Sequence, residues 1–142
     1  MAEPEHPPFF SESVAAGFPS PTTGEINGTL DLNQLCVRHP AATYFVRVRG
    51  NSMTGASIDD GDILVVDRSL TPTHGNIVIA AIAGEFTVKR LEQRNGKHWL
   101  VPANPDYAPV EITQEEMADI FGVVTYAIKA MGQIIHKSQT GT

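Results

Sequence analysis

Only one cysteine, Cys36, occurs in the 142 residues, so the chain cannot close an intrachain disulfide. There is no C-x-x-C pair and no histidine cluster at metal-ligand spacing, which leaves no expectation of a metal or of any cofactor. Cysteine usage of this kind fits a cytoplasmic protein. Basic residues are scarce as well: ten Lys and Arg face sixteen Asp and Glu, for a net charge of -6. That balance opposes direct binding to nucleic acid by phosphate neutralisation, so a role at DNA has to pass through a partner. Long apolar runs are missing too. The longest, Ile77 to Ala83, has seven residues, against about twenty for a membrane-spanning helix. The opening MAEPEHPPFF carries Glu3, Glu5 and three prolines where a secretory leader needs basic charge and an apolar stretch. A soluble protein that stays where it is made is the expectation, with no membrane partner.

What is present is enough apolar residue, 42% of the chain, to build one core without staples, since a domain of about 150 residues buries roughly 70% of its unfolded surface. Residues 1–28 are rich in Pro, Gly, Ser, Thr and Glu and read as an extended N-terminal arm. Their one apolar patch is Val14 to Phe18. Pro19 and Pro21 hold the residues before them extended, which keeps the segment out of helices and central strands and makes it acceptable to a protease. Residues 29–142 read as the folded body. Asp31 is placed to cap a short helix over Leu32 to Val37, stopped by Pro40.

Beyond Thr43 the pattern is strand-like. Candidate strands are Tyr44 to Arg49, Asp62 to Asp67, Asn76 to Ala81, Glu85 to Leu91, His98 to Val101 and Ile120 to Ile128. Turn signals separate them: Asp60-Gly61, His74-Gly75, Ala83-Gly84, Asn95-Gly96 and Asn104-Pro105. Six or more short strands at this spacing predict a mainly β domain, a sandwich or distorted barrel. Gln114 to Asp119 is allowed a single helical turn.

No phosphate loop or nucleotide fingerprint appears, so chemistry falls to ordinary side chains. His6, His39, His74, His98 and His136 invite a triad, yet each reads better as a turn or surface residue. The stronger element is Gly50-Asn51-Ser52-Met53, directly after a strand. Such a turn can present a hydroxyl and aim backbone amides, those of Asn51 and Ser52, at an oxyanion. Ser beside Gly and Asn is also ordinary turn chemistry. Lys89 lies inside a strand, where alternation puts Thr87, Lys89 and Leu91 on one face and Phe86, Val88 and Arg90 on the other. A lysine there is either solvated or a base with a reason to be neutral.

Taken in order, Gly50-Asn51-Ser52-Met53, Ile58 to Asp67, His74 to Val78 and Gly84 to Leu91 resemble the LexA and UmuD family of self-cleaving serine peptidases. The similarity covers about Phe18 to Met131. Gly17 to Pro21, Asp31 to Leu35, Ala42 to Val46 and Phe121 to Val124 follow the UmuD pattern within it, and the arm is too short for a repressor's helix-turn-helix domain. The resemblance implies a LexA-like peptidase domain, a nucleophile at Ser52, a general base at Lys89 and a scissile bond between Ala16 and Gly17. It further implies a homodimer, cleavage stimulated by a RecA filament on single-stranded DNA, and a product that serves as accessory subunit of an error-prone, Y-family translesion polymerase. The alternative is a regulatory binding module of a polymerase complex that does not cleave. A signal peptidase shares the Ser and Lys chemistry, but its substrates need a membrane anchor.

Overall fold

The computed structural model describes residues 6–10, 13–14 and 28–132. The Ala16 and Gly17 pair lies outside the described residues. The chain divides into two compact units, Met1–Arg38 and His39–Thr142.

In the first unit the helix α1 spans Leu32–Cys36. Asp31 caps it as its sequence position predicts: one carboxylate oxygen accepts from the Asn33 and Gln34 amides at 2.9 and 3.4 Å. The helix ends one residue earlier than the pattern suggests, with Val37 as an extended C-cap. Pro40 does not stop it. Pro40 instead opens a separate 3-10 turn over Pro40–Ala42, where its missing N–H costs nothing. Ahead of α1, Pro8 bridges Thr29 in antiparallel fashion, with the Phe9 amide bonded to the Gly28 carbonyl and the Leu30 amide to that of Pro7, both at 2.9 Å.

The second unit is built on seven strands. They are β1 (Thr43–Arg47), β2 (Ile63–Asp67), β3 (Ile77–Ile82), β4 (Glu85–Arg94), β5 (Lys97–Val101), β6 (Val110–Ile112) and β7 (Ile120–Ile128). The fold is mainly β, as the alternating pattern predicts. Hydrogen bonding runs through one antiparallel sheet in the order β1-β2-β7-β3-β4-β5-β6. Register shifts at Val65/Val66 and Ile79/Ala80 bend the strands on either side of β7.

The hairpins have local causes. Ala83 and Gly84 both sit at positive φ, as do Asn95 and Gly96. Two such residues form the primed turns whose twist matches the flanking strands, and they join β3 to β4 and β4 to β5. β6 escapes the sequence reading because it is only Val110, Glu111 and Ile112, just after Pro109.

Alternation along β3 feeds two apolar clusters. Ile79 packs with Val48, Met53, Ile58, Leu64 and Val66. Val78 and Ala80 pack with Leu91, Leu100 and Val123. The first cluster concerns the site, because it includes Met53, 2% exposed and next to Ser52.

Candidate active site

The nucleophile candidate Ser52 lies on the turn that leaves β1. Gly50 adopts φ +91°, a conformation that a side chain disfavours, and its amide donates to the Asp60 carboxylate at 2.8 Å. Asp60 belongs to a loop that is itself clamped. The Gly61 amide donates to the Val48 carbonyl at 2.8 Å, and Lys129 reaches Asp59 and the buried Asp62 at 2.6 and 2.5 Å.

A second set of ties comes from the segment after β5. The Ala103 amide donates to the Ser52 carbonyl at 2.8 Å, and the Gly55 amide to the Ala103 carbonyl at 2.7 Å. The Asn104 side-chain amide donates to the Asn51 carbonyl at 2.8 Å, and the Tyr107 hydroxyl to the Asn51 side-chain oxygen at 2.7 Å. A buried Met53 side chain completes the anchoring. Ser52 therefore sits on a turn fixed by residues as distant in sequence as Asp60 and Tyr107. Among the described residues, no acceptor takes the N–H of Asn51 or Ser52. Those two amides are the ones the sequence puts forward as oxyanion donors.

Lys89 lies in the middle of β4. Val78 is its register partner on β3, and Thr87 pairs with Ala80. On the other edge of β4, pairing with β5 begins only at Arg90, opposite Val101. The stretch from Glu85 to Lys89 is thus left open to the Ser52 turn. Lys89 Nζ stands 3.2 Å from Ser52 Oγ, 2.6 Å from Thr87 Oγ1 and 3.0 Å from the Val88 carbonyl. Three acceptors for three N–H groups describe an ammonium; once one proton leaves, a hydroxyl can donate to the nitrogen's lone pair. Burial pushes the Lys89 pKa below the ordinary lysine value, toward the neutral form a base requires.

His39, His74 and His98 take other partners. His39 Nδ1 meets Asp67 at 2.7 Å, and Ser69 donates to the other Asp67 oxygen at 2.6 Å. The hydroxyl of Ser69 and then His39 hold the Asp67 carboxyl at about 2. This is no serine protease triad, because the hydroxyl bonds to the carboxylate and not to the imidazole. His74 Nδ1 accepts from the Gln93 amide at 2.8 Å. His136 lies outside the described residues. Among the described residues no three His, Cys, Asp or Glu side chains converge as metal ligands. Also among them, no helix is long and apolar enough to cross a membrane.

Beside Ser52 opens a pocket of about 210 Å³ whose walls include Val46, Val48, Ile79 and Phe86. Val46, Ile79 and Phe86 also line a second pocket of about 330 Å³ that ends at Tyr44, Phe121 and Arg68. The two form one groove with the serine at one end. Thr87, Asp60, Asn104 and Tyr107 are the contributors that sequence reading missed. Thr87 alone carried a local signal, since residues two apart on a strand share a face.

Comparison with known proteins accords with this arrangement. Residues 8–125 match the family described as Peptidase S24-like. Protein MucA of Salmonella typhimurium is 51% identical over 122 residues, which cover 85% of this chain and 83% of MucA. Protein ImpA of Escherichia coli is 47% identical over 127 residues, 85% of this chain and 82% of ImpA. LexA repressor 1 of Pseudomonas syringae pv. tomato is 41% identical over 99 residues, 70% of this chain but 48% of that repressor. The resemblance read from the four sequence blocks is thereby borne out. The chain belongs to the Peptidase S24-like family, as a UmuD-like serine peptidase.

Proposed function

We propose that this chain cleaves its own arm between Ala16 and Gly17, with Ser52 as nucleophile and Lys89 as general base. The observation that carries the reading is the 3.2 Å approach of Lys89 Nζ to Ser52 Oγ, with the lysine's pKa lowered by burial. In the reaction, neutral Lys89 takes the Ser52 proton as Oγ attacks the Ala16 carbonyl. The oxyanion is held by the backbone amides of Asn51 and Ser52. The Lys89 proton then passes to the leaving amine of Gly17, and water releases the acyl group from Ser52. Gly17 has no side chain to obstruct attack, and Ala16 is a small residue for the pocket beside Ser52. Covering the groove with the arm removes further water from Lys89, so that the substrate helps to neutralise its own base.

The domain organisation goes with this mechanism: residues 1–28 form the arm with the cleavage site, and residues 29–142 the peptidase domain. Release of residues 1–16 turns a precursor into a 126-residue product, Gly17 to Thr142. That product is the accessory subunit of an error-prone translesion polymerase, formed in the cytoplasm in response to DNA damage. A RecA filament on single-stranded DNA stimulates cleavage by favouring the docked arm, and the acidic chain leaves DNA contacts to its partners. Tyr126 and Ile128, 37% and 50% exposed on β7, support a homodimer interface there.

The test is incubation of the purified chain from pH 7 to 10, and at neutral pH with RecA, ATP and single-stranded DNA, followed by intact mass and N-terminal sequencing. The expected fragment begins at Gly17, its rate rising about tenfold per pH unit while the lysine is mostly protonated. RecA's benefit shrinks at high pH. A flat profile, or the same fragment from Ser52→Ala, overturns the reading.

A further inference from the structure

The groove that starts at Ser52 ends in a charge. Tyr44, Val46 and Val48 alternate along β1 and its exit, and they lead from the Ser52 end to Tyr44 and Arg68. The middle is apolar: Val46, Ile79 and Phe86 belong to both parts of it. At the far end Arg68 is exposed; burial raises the Tyr44 pKa, and the nearby Arg68 guanidinium offsets part of that rise. Among the described residues no carboxylate lies within ion-pair distance of Arg68. Arg47 and Arg49 line the Ser52 end and Arg68 the far end, and a groove that is apolar between these cations accepts an occupant that is apolar in the middle and anionic where it meets Arg68.

Such an occupant exists in this chain. Residues 1–28 carry Glu3, Glu5, Glu12 and Glu25 and no lysine or arginine. A strand rises about 3.3 Å per residue, so the four residues from Val48 back to Tyr44 cover about 13 Å. The four residues from Ala16 back to Glu12 cover the same length when extended, and alternation puts Glu12, Val14 and Ala16 on one face. If the Ala16 carbonyl is brought to Ser52, this spacing would carry Val14 over Val46, Ile79 and Phe86 and Glu12 to Arg68. The other direction fits poorly, because the chain after Gly17 has no charge before Glu25 and is interrupted by Pro19 and Pro21.

We propose that Arg68 is a specificity-determining residue of the peptidase, recognising the carboxylate of Glu12, the fifth residue before the cleaved bond, through an ion pair at the end of the groove. The substrate class is then an extended peptide with an acidic residue at that position, an apolar one two residues later, and Ala-Gly at the bond. This rests on the self-cleavage reading above.

The experiment is a charge swap in the full-length chain, read by the rate of appearance of the fragment beginning at Gly17. An ion pair at the surface supports a rate effect of about two- to fivefold when neutralised, and more when reversed. Arg68→Glu and Glu12→Arg are each expected to slow cleavage about five- to tenfold at low salt. Combined, they are expected to restore a rate within about twofold of the wild type, a rescue that a merely structural role of Arg68 does not produce. The single-variant defects are expected to shrink in about 1 M salt, where the screening length is about 3 Å. Wild-type rates in Arg68→Glu with an unchanged melting temperature overturn the proposal. So does a double variant no faster than the slower single, or rescue of Arg68→Glu by Glu25→Arg in place of Glu12→Arg. Absence of the Gly17 fragment from the wild-type chain removes the self-cleavage reading itself, an outcome separate from a neutral charge swap.

Discussion

Ser52 and Lys89 reach each other from two differently supported regions. The serine turn has almost no regular structure of its own, and it is held by Asp60, Ala103, Asn104 and Tyr107, all reaching it from elsewhere in the chain. The lysine is positioned locally: it is in mid-strand, with Val78 opposite it and Thr87 and Val88 as its own neighbours accepting its N–H groups. Nucleophile geometry is consequently vulnerable to substitutions far along the chain, whereas two of the three acceptors that hold the base lie on its immediate neighbours Thr87 and Val88.

The largest effects come from the two groups themselves. Ser52→Ala and Lys89→Met are each expected to reduce self-cleavage by more than about a thousandfold, since the groups act as a unit. They differ in stability. A half-buried ammonium is disfavoured by desolvation, so Lys89→Met is expected to melt at or above the wild-type temperature near neutral pH. The folded-state pKa of Lys89 is lowered, so between that value and the ordinary lysine pKa the unfolded chain binds more protons. Wild-type stability therefore rises with pH through that window, and the advantage of Lys89→Met fades. Melting curves at neutral and alkaline pH check the sign; a variant clearly less stable at neutral pH contradicts the desolvation account.

Next in size is a remote strike at the serine. A Cβ on Gly55 would stand 2.6 Å from the Ala103 carbonyl oxygen, the acceptor of the Gly55 amide. Ala103 also binds the Ser52 carbonyl through its amide, so relief of the clash shifts the nucleophile. Gly55→Ala is expected to cost about 1 to 3 kcal/mol of stability and about ten- to a hundredfold in cleavage rate. Measured denaturant unfolding with an unchanged rate would show that the turn tolerates displacement.

The base side responds in kind, not only in degree. Thr87 Oγ1 accepts from Lys89 Nζ and so favours the ammonium. Thr87→Val removes that acceptor at nearly constant volume, lowers the lysine pKa further, and moves the acid limb of the pH–rate profile to lower pH. The plateau rate falls several-fold as Lys89 loses a tether, and Thr87→Ser retains the wild-type profile. A limb that moves to higher pH, or stays in place, breaks the proposed division between remote and local control.

The same division explains what was legible in the sequence. Strands and hairpins come from alternation and from turn residues adjacent in the chain, so Ile120 to Ile128 has the expected ends and Asn95-Gly96 the expected turn. Thr87 was within reach because residues two apart on a strand share a face. The order of strands was not legible: β7, last in sequence, lies between β2 and β3. Nor were Asp60, Asn104 and Tyr107, since no local pattern says which distant loop will tie down Asn51 and Gly50. The family blocks located Ser52 and Lys89, while the contacts that hold the serine turn in place became visible only in three dimensions.

The smallest effect tests whether the β4 side can be altered without reaching the serine. Ala83 turns the β3–β4 hairpin at φ 51°, a left-handed conformation that costs a side-chain-bearing residue about 1 kcal/mol. Asparagine tolerates it better, and Ala83→Asn recreates the Asn-Gly pair already used between β4 and β5. Glycine would relieve the same strain but return part of the gain as unfolded-state entropy. Ala83→Asn is expected to add about 0.5 to 1 kcal/mol and raise the melting temperature by a few degrees. The cleavage rate and pH profile should stay within about twofold of wild type, because six register pairs from Ile77 to Ile82 already fix Lys89 against β3. A stabilised variant with a displaced pH limb would show that hairpin strain is transmitted along β4 to Lys89, and that the base is less locally governed than its hydrogen bonds indicate.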